Sequence, residues 1–85
     1  MSVVTLYTRP DCHLCEQALR DLRELRAELP FALVVLDIEQ DEDLHRAYFE
    51  RIPVIALDGE ELFEYFVERD ALRARLHAVA NTAAG

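Results

Sequence analysis

Two cysteines held two residues apart constrain this chain more than any other feature. Cys12 and Cys15 close the stretch Tyr7-Thr8-Arg9-Pro10-Asp11-Cys12-His13-Leu14-Cys15. The apolar run before it, Val3-Val4-Thr5-Leu6-Tyr7, reads as a strand, and Glu16-Gln17-Ala18-Leu19-Arg20-Asp21-Leu22 reads as a helix. The pair therefore sits where a strand turns into a helix. Amide groups at a helix start are unpaired and carry partial positive charge. A thiolate placed there is stabilised, and its pKa falls below the ~8.5 of a free cysteine. The thiolate is also the nucleophile of thiol–disulfide exchange.

Helical phase separates the roles of the two sulfurs. Residues three and four apart share a helix face. Cys15, Ala18, Leu19, Leu22, Leu25 and Leu29 form such a stripe, so Cys15 tops the core-facing side. Cys12 lies at the helix mouth, and His13 falls opposite the stripe, toward solvent. Cys12 is the expected attacking sulfur and Cys15 the resolving one.

Length and charge narrow the rest. A chain of 85 residues is one small domain, taken as residues 1–80 with a frayed tail at 81–85. Its net charge of −8 disfavours nucleic acid as a partner, because phosphate is repelled. No apolar stretch approaches the ~20 residues that span a bilayer. No secretory signal is visible at the N-terminus. Two cysteines are too few for a stapled secreted miniprotein, so the reducing cytoplasm is the expected compartment, where a disulfide is transient; a monomer is the expected state.

Taken in order, the pattern alternates. Pro10 suits an exposed turn and Asp11 a helix start. The first helix should run from about Cys12 to Leu29, where Pro30 stops it. Ala32-Leu33-Val34-Val35-Leu36 is a second buried strand, parallel to the first through a right-handed crossover. Asp41 is a candidate N-cap for a short helix ending near Glu50. Ile52 to Leu57 begins a third strand, and Asp58-Gly59 is a hairpin turn into a fourth that ends near Phe66. Leu72, Leu76 and Val79 stripe a last helix over about Glu68 to Ala80. The order is β-α-β-α-β-β-α: an α/β domain with a four-stranded mixed sheet and helices on both faces. With the first and third strands as antiparallel neighbours, Pro53 comes next to Cys12.

Cys12-His13-Leu14-Cys15 together with Ile52-Pro53-Val54 resembles glutaredoxin, and more closely the short bacterial glutaredoxin-like proteins that carry Cys-His-Leu-Cys. The resemblance runs from Val3 to about Val79. It implies a thioredoxin-like fold, with Cys12 as nucleophile, Cys15 as resolving thiol and Pro53 as a cis-proline facing them. A cis bond at Pro53 would turn the Ile52 backbone toward an extended substrate. The chain departs from the family in three places. His13-Leu14 replaces the common Pro-Tyr, and Arg51-Ile52 replaces the usual Thr-Val before the proline. Phe66-Val67-Glu68-Arg69-Asp70 stands where a glycine pair usually holds the glutathione carboxylate. A helix start with Glu68 and Asp70 beside it is a poor cradle for an anion. No resident cofactor is expected, and glutathione enters only as a candidate co-substrate.

The expected activity is thiol–disulfide oxidoreduction on disulfide-bearing proteins or small thiols, with an unspecified reductant. Arg9 and His13 are the candidate tuners of the Cys12 pKa, since a neighbouring cation favours the thiolate. Leu14, Ile52 and Pro53 are the candidate substrate-binding residues, with Phe63, Tyr65 and Phe66 either core or groove. Arg9 and Arg51 are candidates for choosing partners by charge. Two other classes compete. Cys-x-x-Cys supplies half of a zinc site, with His13, His45 or His77 as further ligands, and a bridging iron–sulfur cluster on Cys12 is the related case. The other is an interaction module of the same fold that does not turn over.

Overall fold

In the computed structural model, which describes residues 2–84 and side chains as far as Val79, strand β1 (Val3–Thr8) has neighbours on both sides. Its apolar run needs cover on both edges and both faces. On one edge it pairs in parallel with β2 (Ala32–Asp37), from Val3 opposite Ala32 to Thr8 opposite Asp37. On the other it pairs antiparallel with β3 (Val54–Leu57), which continues into β4 (Glu60–Glu64). The sheet order is β2-β1-β3-β4. Asp58 and Gly59 make the hairpin turn with φ of 49° and 89°, as a two-residue turn of this hand requires. Asp58 also pins the start of β1: its side chain accepts from the Val3 amide at 2.8 Å, and its own amide donates to the Val3 carbonyl.

Helix α1 (His13–Glu28) is the crossover between β1 and β2. It ends because Pro30 forces the preceding Leu29 into extended backbone, φ −131° and ψ 135°. Helix α2 (Glu42–Tyr48) is capped by Asp41, whose carboxylate accepts from the amides of Asp43 and Leu44. Helix α3 (Arg69–Ala84) follows β4.

Alternation along β1 divides the interior in two. Val4 and Leu6 point into the main core with Leu22 and Leu25 of α1, Ile55 of β3, and Leu72 and Leu76 of α3. Tyr7 faces the other way and stacks on Tyr48 of α2, ring centroids 4.3 Å apart. Helices therefore cover both faces, as expected. Ion pairs lash α3 to the flank of α1: Arg69 to Asp21 at 2.5 Å and to Glu24, and Arg73 to Glu28 at 3.0 Å.

Several boundaries differ from the sequence reading. The α1 cap is Cys12 itself, because Asp11 is in the left-handed region with φ 59° and precedes it. β3 starts at Val54 because the Ile52 amide is bound to the carbonyl of Tyr48 at 3.1 Å. β4 stops at Glu64 because Tyr65, φ 70°, leaves the extended region. The backbone of α3 continues through the alanine-rich residues expected to fray, as far as Ala84, since alanine is the best helix former. Gly85 lies outside the described residues.

Candidate active site

β1 ends, β3 begins and β4 ends at one end of the sheet, since Tyr7 pairs with Val54 and Val54 with Glu64. α1 starts at that same end, after the loop Arg9–Cys12. Cys12 occupies the N-cap with extended dihedrals, φ −115° and ψ 109°. Its Sγ accepts a hydrogen bond from the Cys15 amide at 3.2 Å. The atom that normally caps a helix is a hard oxygen; here a sulfur takes that place, in contact with an otherwise orphaned donor.

Cys15 lies one turn on, and the two cysteines are joined as a disulfide with Cα atoms 5.2 Å apart. Cys15 is 2 % exposed, packed with Ile38 and Ile52 in a small apolar cluster that Tyr7, Cys12, Leu44 and Tyr48 border. Cys12 is partly exposed. One sulfur is open to an incoming group and the other is sealed behind it. This is the asymmetry that helical phase required.

The remaining sequence candidates are brought together unequally. Pro53 is buried and the Ile52–Pro53 peptide is cis. Ile52 packs against Cys15, but its amide is engaged by Tyr48, which leaves only its carbonyl for an extended ligand. Leu14 is 39 % exposed, beside the pair in sequence. His13 is fully exposed and turned to Glu16, with 3.8 Å between Nδ1 and the carboxylate. Arg9 is exposed and makes no ion pair among the described residues. Among the described residues, neither the Arg9 nor the His13 side chain forms a hydrogen bond or ion pair with Cys12. Both side chains reach solvent from a loop and a helix mouth, and nothing holds them inward.

Arg51, by contrast, is not a free charge. It is bound by Glu61 and Glu64 and lies over the Tyr48 ring, 5.2 Å from its centroid. The Tyr48 hydroxyl donates to Glu61 at 2.8 Å. That bond to a carboxylate, and burial after it, raise the Tyr48 pKa above the ordinary phenol range. The Arg51 guanidinium, followed by the Tyr48 hydroxyl, holds the Glu61 carboxyl below its ordinary value. Tyr48 and Glu61 were invisible as site residues in the sequence, being 13 positions apart in a chain with 17 acidic residues.

Among the described residues no three His, Cys, Asp or Glu side chains converge. His45 stacks on Phe49, and His13 faces Glu16.

A family model described as Glutaredoxin-like domain (DUF836) matches residues 3–77. The chain belongs to this glutaredoxin-like family. Rv0508, an uncharacterised protein of Mycobacterium tuberculosis, is 33 % identical over 76 residues, spanning 84 % of this chain and 78 % of its own length. The solution structure of Ne2328 from Nitrosomonas europaea superimposes with a TM-score of 0.77 at 36 % identity, over 88 % of this chain and 91 % of that one. A thioredoxin mutant from Halobacterium salinarum superimposes with a TM-score of 0.67 at 23 % identity, over 91 % and 73 % of the two chains, and shows the shared thioredoxin-like fold. Among the described residues of this glutaredoxin-like chain, no helix is long and apolar enough to cross a membrane.

Proposed function

We propose that this protein is a cytoplasmic dithiol–disulfide oxidoreductase in which Cys12 attacks and Cys15 resolves. The observation that carries the reading is the unequal placement of the sulfurs, Cys12 Sγ on the Cys15 amide at 3.2 Å and Cys15 buried behind it. In the reduced protein the Cys12 thiolate attacks one sulfur of a substrate disulfide. The substrate S–S bond breaks, a mixed disulfide forms, and the other substrate sulfur leaves as a thiolate that takes a proton from water. Cys15 then gives up its proton and attacks Cys12 Sγ. The second substrate sulfur departs, and the Cys12–Cys15 disulfide remains. The substrate gains two electrons and the protein loses them; an external dithiol or thiol pair restores the reduced state.

The test is redox equilibration against glutathione for the wild type, Cys12→Ser and Cys15→Ser. The wild type should cycle between dithiol and internal disulfide. Cys15→Ser should accumulate a mixed disulfide on Cys12, and Cys12→Ser should accumulate none. Equal adduct formation by the two variants would end the nucleophile–resolver assignment. An internal disulfide that neither forms nor breaks would return the chain to the interaction-module reading.

A further inference from the structure

The connection from β4 to α3 is built around an aromatic residue in unusual backbone. Tyr65 has φ 70°, a region that bulky residues rarely enter. The Phe66 amide donates to the Glu64 carbonyl at 2.8 Å, which closes a three-residue γ-turn of the rarer, strained hand. Two hydrogen bonds hold the turn. The Tyr65 amide donates to the Pro53 carbonyl at 2.7 Å, and the Tyr65 hydroxyl donates to the Glu50 carbonyl at 2.8 Å. Tyr65 thereby clamps this connection to both sides of the Ile52–Pro53 loop. The residue that follows bears the consequence. Phe66 is 62 % exposed, the most exposed of the large apolar side chains among the described residues, at the end of the sheet where Cys12 and the exposed Leu14 lie. Over-determined backbone that holds an aromatic ring in water, at the same end of the sheet as the cysteine pair, is where strain accompanies function.

We propose that Phe66, set in place by the Tyr65 turn, receives an apolar side chain of an extended polypeptide substrate. The inference rests on the disulfide-exchange reading above and names its substrate class. Spacing selects the position that is read. β4 lies two strands from β1, roughly 10 Å across the sheet at ~4.8 Å per strand, and an extended peptide covers that in about three residues. Phe66 therefore meets a side chain two or three residues from the attacked cysteine.

Charge selects a polypeptide over glutathione. Glu64 and Glu68 border Phe66 in sequence, and the Glu68 side chain has no ion-pair partner among the described residues. The cation nearest in sequence, Arg69, is held by Asp21 and Glu24, and Arg51 is held by Glu61 and Glu64. Nothing on this turn balances the two carboxylates of glutathione. An apolar peptide segment, or one carrying basic residues, meets no such opposition in a molecule of net charge −8.

The experiment is a position scan. Single-cysteine peptides are activated as mixed disulfides with 5-thio-2-nitrobenzoate, with one Phe placed one to five residues from the cysteine on either side. Release of the coloured thiolate gives kcat/KM, with dithiothreitol as reductant. In the wild type the rate should rise about tenfold for Phe two or three residues away, the lower range for one apolar group in a pocket. Phe66→Ala should flatten the scan and Phe66→Leu should keep its shape. A flat wild-type scan with turnover still dependent on Cys12 overturns this inference alone. So does a scan unchanged by Phe66→Ala, or a glutathione mixed disulfide consumed faster than every peptide. Undiminished turnover by Cys12→Ser instead overturns the exchange reading beneath it.

Discussion

At the scale of single residues, the chemistry turns on which atom occupies the cap of α1. Asp11 has the residue type that usually takes the N-cap, yet it lies one position early in left-handed backbone, and Cys12 Sγ receives the amide bond instead. A sulfur fixed against a helix start needs no charged side chain to favour its thiolate. His13, exposed and turned to Glu16, stands outside that contact. His13→Ala should therefore leave the redox equilibrium constant with dithiothreitol within about twofold of wild type. A tenfold change, ~30 mV for a two-electron couple, would make His13 a tuner of the pair. The cysteine spacing and the stripe from Cys15 to Leu29 were legible in sequence because each is local. The identity of the cap was not, since it depends on one backbone angle at Asp11.

Among elements, α2 leans on a ring stack and a polar network. It is a short helix with no fully buried residue, docked on the sheet by the Tyr7–Tyr48 stack and the Tyr48–Glu61–Arg51 network. Tyr48→Phe keeps the stack and removes one hydrogen bond at a partly exposed site, at a cost of about 1 kcal/mol in urea unfolding. Glu61 adds a pH dependence. Its folded pKa lies below its unfolded one, so its contribution is in place above the unfolded carboxylate pKa, ~4.3, and is lost as pH falls through the folded value. Glu61→Gln should lessen the fall in urea midpoint below about pH 4.5. An unchanged slope would mean that the network carries no net stability. None of this network was legible in sequence, where Arg51 reads as a free charge near the site. Its partners come from β4, across a hairpin whose pairing the sequence signals only at Asp58-Gly59.

For the whole molecule, topology does what no single element can. Element order and the positions of the strands were readable from hydrophobic period and turn residues, and the β2-β1-β3-β4 order follows once β1 is central. That order brings the Cys12 loop, the Ile52–Pro53 loop and the Tyr65–Phe66 turn to one end, from segments as far apart in sequence as Cys12 and Phe66. The ends of β4 and α3 escaped the sequence reading because a left-handed tyrosine and a run of alanines have weak hydrophobic signatures. Everything proposed for the site rests on one asymmetry, an accessible sulfur at a helix cap in front of a buried one. The most direct measurement is alkylation of the reduced protein with iodoacetamide across pH, read at each cysteine by peptide mapping. Cys12 should react first, with a midpoint below the ~8.5 of a free thiol, while Cys15 stays protected in the folded protein. A Cys12 midpoint at or above ~8.5, or Cys15 reacting first, would contradict the account.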